Sequence, residues 1–317
     1  MIKRLAVPML ASAPIWSLLR RRAHSRDPIS ILCYHTLTAD QGGIDGWTAL
    51  RVGDFRAQLA DLRKHYDIIS LDEALEAKPG RKPRAVLTFD DGDRGLYTHL
   101  LPVLRETGVP VTIYVATAQF ETGTPFWFDR VVNALQGAHE IKVEGLGHWV
   151  LPAEPGVAHW MILGEVLEAL KQAPTEDRDA LADQVAAQGR PPKAAPLGPM
   201  SMTELKELAA TPGVTIGAHT HGHELLDQLD PEAARASMER SRTLLQGWTG
   251  QEVRHFAYPN GNHTEALREI AMELGFASAT ILEDRLVEDG ADPFTLTRVS
   301  VGRYDSAARI RLRLVGL

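Results

Sequence analysis

Two clusters of polar side chains end otherwise apolar runs of this chain. Leu87-Thr88-Phe89 leads into Asp90-Asp91-Gly92, and Ile216-Gly217-Ala218 leads into His219-Thr220-His221-Gly222-His223. Adjacent carboxylates after an extended run point to different sides, so one can ligate a metal while the other serves as general base. Gly92 permits the sharp exit that exposes both. A helix N-cap at Asp90 or Asp91 would account for the pair equally well. Three imidazoles within five residues are harder to explain by packing, the plain alternative being surface histidines in a turn. His219 and His223, four residues apart, converge on one ion if the exit makes a helical turn. His221 is then expected to point away, although its spacing also leaves an i,i+2 pairing open. Two neutral imidazoles and a carboxylate suit one divalent ion, zinc first, with cobalt or nickel as alternatives. Such a set leaves positions for water and substrate.

These groups need a frame. β-branched or apolar runs recur at 30–35, 85–91, 110–117, 214–219, 253–258, 276–280 and 294–301, and amphipathic stretches at 54–65, 96–107, 201–210, 231–248, 264–274 and 306–315 lie between or after them. Alternating strands and helices predict right-handed crossovers and a mostly parallel sheet. Seven units favour a distorted (β/α)7 barrel, an α/β fold in which loops leaving the C-terminal strand ends build the active site. No G-x-G-x-x-G follows a strand, which removes the main dinucleotide reading. The gap from the third strand to the fourth is several times a usual connection. A largely helical rim insertion at about 118–200 is therefore expected, within one barrel domain spanning 28–317.

The 317 residues carry a formal charge of −7, with an apolar fraction of 44% and a single cysteine. That composition is globular rather than disordered. One cysteine excludes an internal disulfide and any multi-cysteine metal site; Cys33, in an apolar strand, reads as a packing residue. The acidic balance argues against a nucleic-acid partner. Charge is nonetheless segregated. Residues 1–26 hold six Lys or Arg and no acid, and residues 298–317 hold five Arg against Asp305 alone. Within the basic segment of the first 27 residues, the apolar run from Leu5 to Leu19 is too short for a comfortable membrane span. Peripheral contact at the inner membrane face is the expectation, with a cytoplasmic body. A cleaved secretory signal and a plain packed helix are the alternatives.

Thr88-Phe89-Asp90-Asp91-Gly92, His219-Thr220-x-x-His223 and Phe256-Ala257-Tyr258-Pro259-Asn260-Gly261 together resemble, in order and spacing, three motifs of the polysaccharide deacetylases, the NodB homology domain of carbohydrate esterase family four. The resemblance covers roughly residues 28–305. It implies metal-dependent removal of N-acetyl groups from amino sugars of a cell-surface polysaccharide or its lipid-linked precursor. By motif position it makes Asp91, His219 and His223 the metal ligands and Asp90 the general base for an attacking water, with the oxyanion held by the metal and a backbone N–H. Two departures matter. The late histidine acid of many members is missing, and His35, after Tyr34, is the best replacement, similar to a subgroup with an N-terminal Tyr-His motif. Ala257 stands where an arginine usually orients the base, and Arg298 could restore that charge. Trp127, within Phe126-Trp127-Phe128-Asp129, offers a sugar-stacking wall or equally a core plug, while Tyr258 and Pro259 are expected to shape the pocket floor. Other readings are an amidohydrolase for a small amide, imide or formamide, and a catalytically idle glycan-binding protein.

Overall fold

The computed structural model describes residues 10–76, 82–152, 156–190 and 192–317. Seven parallel strands close on themselves: β1 (Ile29–Tyr34), β2 (Arg84–Phe89), β3 (Val111–Val115), β4 (Val214–Ala218), β5 (His255–Ala257), β6 (Ser278–Leu282) and β7 (Leu296–Ser300). They pair in chain order, and β1 closes the ring by pairing with both β2 and β7. This is the (β/α)7 barrel expected from the spacing of the apolar runs. Closure is tight where β1 matches β2 over six residues, from Ile29 opposite Arg84 to Tyr34 opposite Phe89. It is loose between β4 and β5, where Ala218 opposite Phe256 is the pairing formed, and that looseness is the distortion of the barrel.

Alternation sorts the side chains. Leu32, Tyr34, Leu87, Phe89, Ile113 and Val115 pack outward into the main core beneath the helices. Ile31, Val86, Tyr114, Ala257 and Leu296 pack into the barrel, with Leu71 and Ala74 of a short helix (Leu71–Leu75) closing one end. Tyr114 fits because its register partner is Gly217, where a Cβ would sit 2.4 Å from its ring. The helices take ordinary terminal signals. In the helix Pro231–Thr249, Asp230 accepts from the N–H groups of Glu232 and Ala233, Pro231 opens the first turn, and left-handed Gly250 ends the last.

Between β3 and β4 lie α1 (Trp127–Leu135), an antiparallel hairpin (Glu140–Val143 with Gly147–Val150), α2 (Val157–Gln172) and α3 (Thr175–Ala186). They share a core of their own, built on Val131, Leu135, Ile141, Leu163, Val166 and Val185. Sequence patterning shows the helices but not the hairpin. At the N-terminus, residues 1–9 of the basic segment lie outside the described residues. The helix Ala13–Ala23 buries Trp16, whose Nε1 donates to the Arg311 carbonyl at 3.0 Å. Among the described residues no helix is long and apolar enough to cross a membrane.

Candidate active site

Asp90 and Asp91 leave β2 side by side but serve different neighbours. Asp90 continues the strand, its N–H donating to the Tyr34 carbonyl at 3.0 Å, so its carboxylate faces into the barrel. There it meets Arg298 of β7 in a two-pronged pair, Nη1 to Oδ1 at 2.7 Å and Nη2 to Oδ2 at 2.8 Å. Nη1 also donates to Thr88 Oγ1 at 3.1 Å, and the guanidinium lies 5.3 Å from the Tyr114 ring centroid. Both partners are sealed from solvent, Arg298 at 0% exposure and Asp90 at 2%. Burial alone would raise the Asp90 pKa; the Arg298 charge and hydrogen bonds, joined by the charges of His219 and His35, together outweigh it and hold the carboxyl below the ordinary range. The Cys33 thiol lies 3.4 Å from Asp90 Oδ2, so Cys33 faces this carboxylate rather than merely filling space. Burial pushes that thiol well up, which keeps it protonated.

Asp91 turns the other way because its backbone is left-handed, φ 74°, followed by Gly92 at φ 84°. Thr220, His223 and Asn260 are left-handed as well, so four of the five non-glycine positive-φ residues among those described cluster at the strand exits around this site. Such backbone is strained and persists where surrounding structure imposes it. It brings Asp91 Oδ1 within 3.5 Å of His219 Nε2 and 3.2 Å of His223 Nε2. The two imidazoles stand edge-on, centroids 4.8 Å apart. His219 Nδ1 lies 2.7 Å from the Ala257 carbonyl, which can only accept, so the proton sits on Nδ1 and the Nε2 lone pair faces Asp91. Asp91 Oδ1 is buried and has no hydrogen-bond donor. A carboxylate oxygen confronted by imidazole lone pairs is repulsive unless a cation or added protons lie between them, and three donor atoms within 4.8 Å of one another fit a divalent ion. Burial would raise the Asp91 pKa; hydrogen bonds and positive charge from protonated His219 and His223 outweigh it and hold the carboxyl well below the usual range, so positive charge at this point, whether protons or a cation, keeps Asp91 ionised. A second group, Cys33, His35 and Asp90, is as compact, yet Arg298 already occupies both Asp90 oxygens.

His35 follows β1 and lines the same cavity as these groups. Burial lowers its pKa, opposed by the charges of Asp91 and Asp90. The cavity, about 660 Å³, also reaches Trp127, Phe128, Asp129 and the exposed face of α2. Phe126 and Phe128 pack against His223, at 5.7 and 4.8 Å between centroids, so part of the aromatic cluster braces that imidazole while Trp127 forms wall. Tyr258 and Pro259 do not line the cavity. Tyr258 shares the outward phase of Phe256 and packs beside it in the main core, and Asn260 takes the expected place in the cleft. His221 turns from the pair toward Thr117 Oγ1 at 2.8 Å.

Sequence reasoning missed several of these supports. Asp93, buried, accepts from the Gly95 and Gly198 N–H groups at 2.7 Å each and from Thr36, tying the β2 exit to the end of the insertion. Asp129 is buried at the cavity wall, and desolvation with the nearby Asp93 and Asp91 charges pushes its carboxyl well above the usual range.

The family model described as polysaccharide deacetylase matches residues 77–279. The chain belongs to the polysaccharide deacetylase family. Membership makes it a carbohydrate N-deacetylase hydrolase whose substrates are acetylated polysaccharides. Solved structures agree in fold. Deacetylase PplD from Streptococcus pyogenes, in complex with acetate, is 17% identical with a TM-score of 0.61, over 90% of this chain and 98% of its own. IcaB from Ammonifex degensii is 21% identical, TM-score 0.61, over 92% and 98%. The BpsB deacetylase domain from Bordetella bronchiseptica is 17% identical, TM-score 0.53, over 86% and 95%. The comparison with curated proteins finds no match.

Proposed function

We propose that this polysaccharide deacetylase removes N-acetyl groups from an amino sugar of a cell-surface glycan or its lipid-linked precursor, in a metal-dependent reaction. The observation that carries the reading is Asp91, with its unpartnered buried oxygen between two imidazoles, beside the separately charged pair of Asp90 and Arg298. Asp91, His219 and His223 would hold the ion, zinc first, with cobalt or nickel as alternatives. When bound, a divalent cation supplies Lewis acidity, acidifying water and polarising an amide carbonyl. Asp90, ionised against Arg298, takes the proton of the water that attacks the acetyl carbon. Arg298 fixes both carboxylate oxygens and so positions the base. His35, close to Asp90 and kept neutral by burial, is the carrier that passes that proton to the departing amine nitrogen. The products are acetate and the protonated amine, which together account for both protons of the water.

Tyr34-His35 at the end of β1 supports placing the chain in the subgroup with an N-terminal Tyr-His motif. Exposed Ile15 and Leu18 beside exposed Arg21 and Arg22 support peripheral contact at a membrane surface; in this reading the body lies on the cytoplasmic side. Acetate release from N-acetylated glycans tests the central claim. It should vanish with chelator, return with zinc or cobalt, and vanish in Asp90→Asn with metal content intact. Full activity of Asp90→Asn on every acetylated sugar would remove Asp90 as the base.

A further inference from the structure

The cavity that holds the active site is apolar over most of its remaining wall, and one helix makes it so. On α2, His159, Leu163, Val166 and Leu170 face the core of the insertion. Val157, Trp160, Met161, Gly164 and Leu167, on the same helix, line the cavity, Trp160 and Leu167 also packing at the edge of that core. A helix apolar on two faces is normally buried on both. Here the second face is left open, with Val157 at 50% and Met161 at 65% exposure. Aromatic rings can stack on sugars, but Val157, Met161 and Leu167 offer neither a flat face nor a hydrogen bond. Sugar hydroxyls set against them would lose water without replacement. Hydrocarbon loses nothing there, and each methylene buried strengthens binding on the order of fourfold.

Charge marks where such a chain would join the sugar. Lys171 ends the same helical face, and its Nζ donates to Asn260 Oδ1 at 2.8 Å, bridging α2 to the exit of β5. Arg178, 5% exposed, lines the cavity too, capping the end of α2 through the Leu170, Lys171 and Ala173 carbonyls. Neither has a carboxylate ion-pair partner among the described residues. Glu168, also at the wall, is turned to Gln172 at 2.9 Å. Two cations without a carboxylate in ion-pair contact, at the end of the aliphatic face and in the same cavity as the hydrolytic centre, match an anionic linker between sugar and lipid.

We propose that the wall formed by α2 holds the isoprenoid chain of a substrate in which the acetylated amino sugar is joined to lipid through phosphate. The proposal rests on the deacetylase reading above and narrows its substrate class. The cavity, about 660 Å³ and open to solvent where Val157 and Met161 are exposed, has room for a branched chain. Binding is read by tryptophan fluorescence, since Trp160 and Trp47 both line the cavity. Farnesyl phosphate should bind at least tenfold more tightly than dodecyl phosphate and a hundredfold more tightly than inorganic phosphate. Met161→Asp should weaken farnesyl phosphate at least tenfold, Lys171→Gln should weaken it severalfold, and Met272→Asp, exposed on the remote helix Glu265–Glu273, should leave it unchanged. In turnover, N-acetylglucosamine linked through phosphate to farnesol should exceed the farnesol-free sugar phosphate in kcat/KM by about a hundredfold. Farnesyl phosphate binding no tighter than phosphate, or insensitive to Met161→Asp, overturns the inference even if soluble glycans are deacetylated. Tight, Met161-dependent binding without acetate release from any substrate upholds the lipid site and sinks the deacetylase reading instead.

Discussion

Arg298→Met is the most informative single substitution, because the structure assigns this guanidinium one dominant task. The side chain is fully buried and holds both oxygens of an equally buried carboxylate. Methionine keeps most of the volume but removes every donor, so Asp90 is left as an unpaired charge in a low-dielectric barrel. Breaking one half of a buried pair costs about 3–5 kcal/mol. At roughly 2 °C per kcal/mol for a chain of this size, the melting temperature should fall by about 6–10 °C. Arg298→Lys should recover only part of this, since an ammonium cannot form the fork. Catalysis should suffer separately. With Arg298 gone, burial is the dominant influence on Asp90 and its pKa moves up, so the acid limb of kcat/KM shifts to higher pH. At neutral pH kcat should drop on the order of a hundredfold with KM little changed, because a base is lost rather than a substrate contact. The assay is thermal melting and acetate release on Arg298→Met, Asp90→Asn and the double variant. The double variant should be more stable than the sum of the single losses predicts, by about 2 kcal/mol or more, since it removes the orphaned charge along with its partner. An Arg298→Met protein melting within 2 °C of the parent, with unaltered kcat, would refute the assignment.

Three further outcomes follow from other parts of the barrel. Zinc at a thousand times its Kd should stabilise the parent by about 4 kcal/mol in melting experiments; Asp91→Asn and His223→Ala should lose that gain, and an unchanged shift in both would place the ion elsewhere. Gly217→Ala should cost about 1–3 kcal/mol by denaturant unfolding, because its Cβ would lie 2.4 Å from the Tyr114 ring; Tyr114→Leu in the same chain should return part of it. His255, buried on β5 beside Ser278 and Asp72, has a pKa lowered by desolvation. A histidine held neutral by folding contributes full stability above its unfolded pKa of about 6.5 and loses it as pH falls from there through the lower folded value. His255→Gln should therefore flatten the stability profile below pH 6.5, and an unchanged slope would rule His255 out as its source.

The sequence makes the strand-end chemistry legible because alternation and spacing are local. Asp90-Asp91-Gly92 and His219-x-x-x-His223 each sit at one strand exit, so a single element positions each group. Arg298 was legible as a charge of the right type, but its contact spans 208 positions and depends on barrel closure through β7. Phe126 and Phe128 read only as an ambiguous aromatic run, for their partner His223 lies across the long insertion. The Ala257 carbonyl that sets the His219 tautomer is invisible to any reading of side chains. Tyr258 went astray for a phase reason: β5 is three residues long, and one step of alternation decides between pocket and core. The hairpin at Glu140–Val143 was too short, at four residues a strand, to stand out between helices.

The two aspartates also explain why adjacent identical residues need not compete for one role. Each requires a cation, because each is buried, and the fold supplies only one of them. Arg298 neutralises Asp90 from within the barrel at all accessible pH values, and by taking both oxygens it denies the Cys33, His35 and Asp90 group to an ion. Asp91 has no built-in arginine: His219 Nδ1 is engaged by the Ala257 carbonyl and Asp91 Oδ1 has no hydrogen-bond partner, so its counter-charge is a proton on the facing imidazoles or an ion from solution. The left-handed turn at Asp91 and Gly92 is what separates the environments, since an extended residue there would continue the β2 ladder instead of reaching His223. Strain at that turn thus divides one motif into a carboxylate with a built-in cation and a carboxylate without one, which is the asymmetry that the proposed hydrolysis by an activated water requires.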